Sequence, residues 1–337
     1  MGLRSWIRGG SLARKIQRRQ RRIVVLGGGT GMATILRGLK GEGVDLTAIV
    51  SMADDGGSSG ILRARLGIPP VGDLRNCLIA LADAESTAGA LLQHRLPAER
   101  GATRGHPVGN LLLAAAIAEE GGDLERGIER VHRILNVHGR VIPATSEALR
   151  LRGRTRAGLS VMGQARLART RGIASVSLDS TSVRATRSAL TAISQADLLV
   201  LGPGSLFTSL IPHLLVPEIR SALAARRAPL IWVANVDEQE GETEGMNLDA
   251  HMDALVEHGG AGLIDLVLAA AISRRGAADP GLQLQPHFTR ATGPGGEPRP
   301  PILVRSIASK VRPHLHDSLL LAHALLKLKP LLRKADR

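Results

Sequence analysis

Near the start of the chain, the apolar run Ile23, Val24, Val25, Leu26 ends abruptly in Gly27, Gly28, Gly29, Thr30 and Gly31. A short apolar run closed by glycines reads as a buried strand and a tight turn. Ile35, Leu36 and Leu39 then recur on one helical face, which stops near Gly41 and Gly43. A second strand, from Leu46 to Ser51, completes strand, glycine turn, helix and strand. That succession is a right-handed βαβ unit, and it commits the chain to a parallel sheet.

The rest of the sequence continues the pattern. Apolar helical faces are expected at Leu74 to Ala82, Leu91 to Leu96, Val108 to Ala118 and Leu124 to Leu135. After Pro143 the arginine-rich stretches Ala148 to Leu151 and Leu159 to Met162 alternate like short strands, so a small β excursion is expected around 140–180. Strands return at Leu198 to Leu201, Leu230 to Ala234, Ile264 to Leu268 and Ile302 to Val304, with a helix after Ser205 and another from Ser318 to Leu328. The Gly- and Pro-rich stretch Gly276 to Pro301 reads as a surface loop. The expected fold is α/β, a parallel sheet with helices on both faces. In such sheets ligands bind beyond the carboxyl ends of the strands, where the strand order reverses.

Charge and composition narrow the function. Eight of the basic residues behind the formal charge of +14 lie within the first 22 positions, where no acidic residue stands, which leaves about +6 for the rest. Residues 1–21 are expected to form a solvated basic arm, with weak contact to an anionic membrane surface as its alternative use. Two Phe, two Trp and no Tyr provide few stacking platforms, which argues against nucleic acid as a partner. No apolar run approaches a membrane span, no secretory h-region opens the chain, and Cys77 is the only cysteine. A cytoplasmic protein without intrachain disulfides is the natural expectation.

The chemistry is concentrated in loops after strands. Gly28, Gly29, Thr30 and Gly31 place backbone donors at a helix N-terminus, which favours phosphate. Their spacing departs from G-x-G-x-x-G, because Met32 occupies the sixth position, and no Lys follows as in a P-loop. The second strand runs into ADDGGSSG, where Asp54 and Asp55 suit a hydroxyl or a hydrated cation and Gly57, Ser58 and Ser59 suit an anion. Either aspartate is compatible with Mg²⁺ shared with ligand phosphates. A third loop carries Gly202, Pro203, Gly204 and Ser205. Asp73, Arg75 and Asn76, His106 and Asn110, and Asn235 with Asp237 are further polar candidates, each with a structural alternative as a cap, salt bridge or buried hydrogen bond.

Taken together, GGGTG, ADDGGSSG, GDLRN at Gly72 to Asn76, H-x-x-GN at His106 to Asn110, GPGSLFTS at Gly202 to Ser209 and GET at Gly241 to Thr243 resemble the YvcK and CofD-like family, closer to its YvcK branch. The resemblance implies a Rossmann-like single domain over 22–330 that binds a nucleotide-sugar, a UDP-sugar, as a regulator supporting cell-wall synthesis and cell shape on gluconeogenic carbon sources. A regulatory protein partner belongs to that picture. The alternative it carries is a CofD-type 2-phospho-L-lactate transferase acting on a deazaflavin with Mg²⁺, with Asp54 or Asp55 as catalytic groups. An NAD(P)-dependent dehydrogenase ranks below both. Relatives in this branch commonly have a Tyr within the segment matching Gly281 to Thr292 and an Arg before the C-terminal His-Asp. Phe288 and Arg312 are the expected substitutes.

Overall fold

The computed structural model describes residues 20–97, 105–180, 182–271 and 284–328. The arm through residue 19 and the first part of the Gly- and Pro-rich stretch lie outside the described residues. Strand β1 (Arg21–Gly27) leads into α1 (Gly29–Leu39) and β2 (Val44–Val50). Helices α2 (Gly57–Leu66), α3 (Gly72–Leu81), α4 (Glu85–Gln93), α5 (Val108–Glu119) and α6 (Leu124–Leu135) precede β3 (Arg140–Pro143).

The small sheet consists of β4 (Leu151–Thr155), β5 (Ser160–Met162) and β6 (Ile173–Leu178), with the short α7 (Gln164–Leu167) between the last two. Helix α8 (Arg187–Gln195) returns the chain to β7 (Leu198–Leu201). A π-helical turn, Leu206–Leu210, then runs into α9 (Ile211–Leu215) and α10 (Pro217–Ala224). The remaining elements are β8 (Leu230–Val233), α11 (Leu248–Gly259), β9 (Leu266–Ala270), β10 (Ile302–Arg305) and α12 (Ser318–Leu326).

Seven strands form one parallel sheet in the order β10-β9-β8-β7-β1-β2-β3, and β5-β4-β6 form the antiparallel excursion. Strands β7 and β8 are buried at every position, as expected of central strands covered on both faces. The order reverses between β1 and β7, so the loops after these two strands flank the switch point. β3 joins the main sheet beside β2, so only 151–178 of the expected excursion leaves it. The alternation of β4, with Arg152 and Arg154 exposed and Leu151, Gly153 and Thr155 buried, explains an arginine-rich strand on one sheet face.

Helix α1 buries Met32, Ile35, Leu36 and Leu39 on one face. Its Gly38 lets α12 cross closely, because a Cβ there would lie 1.9 Å from the Ser318 carbonyl oxygen. Asp317 starts α12 by accepting from the N–H groups of Leu319 and Leu320, both at 3.0 Å. Three buried histidines tie strands to helices: Val141 N–H donates to His132 Nε2, Val176 N–H to His258 Nε2, and His213 bonds the Gly27 carbonyl at 3.0 Å. Burial lowers the His213 pKa to about 4, so a neutral ring donates its Nε2–H at the end of β1.

Candidate functional site

A cleft of about 660 Å³ opens over the switch point, between the loops after β1 and β7. The two loops touch. A Cβ on Gly31 would sit 2.6 Å from the Pro203 carbonyl oxygen, and one on Gly204 would sit 3.5 Å from the Gly28 carbonyl oxygen. Glycine is therefore required at Gly31 for contact between the walls rather than for an unusual backbone angle.

Gly28, Gly29, Thr30 and Gly31 line the cleft at the N-terminus of α1, with Gly204 and Ser205 opposite and Asn235 beside them. Gly202 lies just outside the lining, in a left-handed conformation with φ +82° that turns the chain after β7. Asp54 and Asp73 complete the wall. Asp73 accepts a hydrogen bond from the Gly29 backbone; burial, reinforced by the neighbouring Asp54 carboxylate, pushes its pKa up to about 7. At neutral pH Asp73 therefore stands between its protonated and ionised forms.

The other candidates stand behind the cleft. Asp55 caps α7, its two oxygens accepting from Gln164 and Ala165 N–H groups at 2.9 Å each. That cap brings Gln164, which sequence reading did not single out, into the cleft wall. Gly57, Ser58 and Ser59 form the first turn of α2. Ser58 bonds His106 Nδ1 at 2.7 Å and accepts from Asn110 Nδ2 at 2.8 Å, while Ser59 accepts from Gly72 N–H at 3.1 Å. Arg75 continues the chain of bonds to Asn110 Oδ1 at 2.6 Å and to Asn76 Oδ1 at 3.0 Å. These residues brace α2, α3 and α5 against one another.

Asn76 and Arg312 line an adjoining hollow of about 550 Å³, which shares Thr30, Thr34, Leu315 and His316 with the cleft. Phe288, expected as a stacking ring, instead packs against the core beneath Arg299, whose guanidinium carbon lies 5.2 Å from the ring centroid. It is absent from the cleft lining. The segment around it is pulled onto α11, where Asp249 accepts from Thr289 N–H and Oγ1, both at 2.6 Å.

The loop after β8 forms the remaining wall. Asn235, Asp237 and Gln239 face the cleft, joined by His314 and His316 from the approach to α12. Behind them Glu242, buried, accepts from Phe207 N–H at 2.6 Å, Thr208 N–H at 3.0 Å and Thr208 Oγ1 at 2.9 Å. Thr243 Oγ1 accepts from Gln239 N–H at 2.9 Å. The GET motif thus holds the π-helical turn and the β8 loop in register. The role of Glu242 was hidden in sequence because its partners Phe207 and Thr208 lie 35 and 34 residues away.

This geometry meets independent likenesses. The sequence pattern of the family described as 2-phospho-L-lactate transferase CofD matches residues 23–279. The chain belongs to the YvcK/CofD-like family. It is 43% identical over 251 residues to a Halalkalibacterium halodurans protein named gluconeogenesis factor, covering 74% of this chain and 77% of that one. A Nostoc protein named putative gluconeogenesis factor is 46% identical over 235 residues, 69% of this chain and 51% of the longer relative. A crystal structure of a Bacillus halodurans protein superposes with a TM-score of 0.78 at 35% identity, covering 91% of this chain and 100% of the other. Among the described residues of this family member, no helix is long and apolar enough to cross a membrane.

Proposed function

We propose that this family member is a nucleotide-sugar-binding regulator of the gluconeogenesis-factor type. It takes a UDP-sugar in the cytoplasm and supports cell-wall synthesis and cell shape during gluconeogenic growth through a protein partner. The supporting observation is the cleft at the switch point, where the N-terminus of α1, the Gly204–Ser205 turn and the polar loop after β8 face one space. Backbone donors suit a diphosphate, and the acids and amides beyond them suit a sugar. The relatives' name, gluconeogenesis factor, supports the gluconeogenic part of the reading.

Thermal-shift titration with UDP-N-acetylglucosamine, UDP-glucose and GDP tests the binding. A ligand at a hundred times its dissociation constant stabilises the fold by about 2.7 kcal/mol. A melting curve that no uridine nucleotide moves would sink the reading.

A second reading, a CofD-type transferase, draws on the family description and on Asp54 and Asp73 sharing a wall of the cleft. Asp54, rather than Asp55 with its two backbone bonds, fits Mg²⁺ held together with ligand phosphates, which leaves Asp73 off the ion. When bound, such an ion neutralises phosphate charge. Asp54 would orient an acceptor hydroxyl, and Asp73 would carry or release its proton. Product formation from the deazaflavin Fo and an activated phospholactate donor, lost in Asp54→Asn, would establish turnover; a folded protein giving no product would reject it.

A further inference from the structure

Strand β4 and the residues flanking it carry arginine at positions 150, 152, 154 and 156, the two-residue period of a strand. All four are exposed. Pairing with the β6 side runs past both ends of β4: Asp179 N–H donates to the Arg150 carbonyl at 2.9 Å, and Arg156 N–H to the Gly172 carbonyl at 2.8 Å. The register skip between Arg154 and Thr155 falls on β6, which passes from Ser175 to Ile173, so β4 keeps its alternation. The opposite face is closed. Leu151 and Thr155 are buried, and a Cβ on Gly153 would lie 2.2 Å from the Leu167 side chain in α7. The arginines therefore form one outward row on the small sheet, roughly 20 Å long with about 7 Å between neighbours.

Like charges in a row repel, and the fold gains little from them. Among the described residues, Arg152 has a carboxylate partner, Asp179 at 2.6 Å, whereas the side chains of Arg150, Arg154 and Arg156 have no ion pair or hydrogen bond. Their cross-strand neighbours are Ser160 and Met162 on β5 and Ser175 and Ser177 on β6, none of them acidic. At the end of the row the β4–β5 hairpin leaves Leu159 66% exposed. We propose that this face docks the protein on a bilayer surface rich in anionic headgroups, with Leu159 entering the interface. A flat face brings the whole row to a planar array of phosphates at once, and an apolar tip beside the charges gains from the acyl boundary. A nucleic acid would leave the leucine in water, and the paired positions of this face offer neither an aromatic ring for stacking nor an amide for reading bases. Helix α7 separates the sheet from the cleft, because its Leu167 packs under Gly153 while its Gln164 lines the cleft. Docking therefore leaves the cleft open and does not depend on what the cleft binds.

Co-sedimentation of the full chain with phosphatidylcholine vesicles, with and without about one-third phosphatidylglycerol, tests the surface. The wild type should sediment with the anionic vesicles at low salt and leave them at high salt. Each arginine near an anionic surface multiplies partitioning about fivefold. The triple variant Arg150→Gln, Arg154→Gln, Arg156→Gln should therefore lose more than about tenfold, and Leu159→Ser severalfold. A wild type that stays in the supernatant overturns the proposal. A triple variant that binds within twofold of the wild type assigns the attraction to the basic arm and overturns it equally. An unchanged Leu159→Ser, or a DNA duplex bound more tightly than the vesicles with the same loss in the triple variant, overturns the bilayer as the partner. Circular dichroism checks folding. Should the triple variant misfold, Arg154→Gln alone, expected to lose about fivefold, decides.

Discussion

Asn235 and Gly204 are joined through both ends of one side-chain amide: Oδ1 accepts from Gly204 N–H at 3.2 Å, and Nδ2 donates to the Gly204 carbonyl at 3.1 Å. The pair fastens the end of β8 to the glycine turn after β7, so two walls of the cleft move together. A carboxamide offers both a donor and an acceptor, and a carboxylate offers only acceptors.

Asn235→Asp should therefore set an oxygen against the Gly204 carbonyl and loosen the turn. The expected cost is on the order of 1–2 kcal/mol in urea unfolding, with nucleotide affinity reduced by about tenfold. Wild-type values for both quantities would show that the pairing does not hold the turn.

Asp73 predicts a pH dependence. Its folded pKa of about 7 stands above the ordinary value of 3.8, chiefly through burial and then through Asp54. Between these values the folded chain holds a proton that the unfolded chain has released, so stability falls as pH rises from about 4 to about 7 and then levels. The span is on the order of 3 kcal/mol. Asp73→Asn keeps an acceptor for Gly29 and should flatten this slope while tightening phosphate binding severalfold at pH 8 without Mg²⁺. Chemical denaturation of both proteins across pH 4–8 measures it; parallel slopes would count against Asp73 as the titrating group.

The frame was legible because β1, β7 and β8 are short apolar runs, and glycines mark the turns after β1 and β7. The rule for ligand sites in parallel sheets directed attention to the loops after the strands, and those after β1 and β7 flank the cleft. Helix α2 was not legible: it opens on Gly57, Ser58, Ser59 and Gly60, residues with turn chemistry, and acquires helical character only when Ser58 and Ser59 find His106, Asn110 and Gly72. The same satisfaction explains Asp55, Arg75 and Asn110. Their types suggested ligand binding, but a sequence does not reveal that polar residues far apart are one another's partners. Gln164 was missed for the complementary reason, since an ordinary glutamine reaches the cleft only through the cap that Asp55 provides.

Gly31→Ala tests the contact between the walls. Its Cβ would fall 2.6 Å from the Pro203 carbonyl oxygen, a backbone atom that cannot swing aside. The loops must part, at a cost on the order of 1–3 kcal/mol. Gly29→Ala, at φ +65° with nothing near its Cβ, would be strained by backbone conformation instead. Comparing binding at equal destabilisation separates the two: Gly31→Ala should lose nucleotide affinity disproportionately, and equal losses would remove the special role of the contact.

Glu242 gives the sharpest test of how the polar wall is held. Burial raises its pKa, opposed by bonds from Thr208 and from the Phe207 and Thr208 backbone. A buried carboxylate costs desolvation, so what matters is satisfaction of the donors around it rather than its charge. Glu242→Gln can accept from both N–H groups through Oε1 and donate Nε2 to the Thr208 hydroxyl, and should change stability by less than about 1 kcal/mol. Glu242→Ala strands two N–H groups and a hydroxyl, and should cost about 3 kcal/mol or more. Because Gln239 is fixed from the adjacent Thr243, the alanine variant should also weaken UDP-sugar binding after its lost stability is compensated with an osmolyte. Guanidinium unfolding of the two variants decides: similar destabilisation by glutamine and alanine would mean that the charge itself, rather than the three hydrogen bonds, holds the turn against the β8 loop.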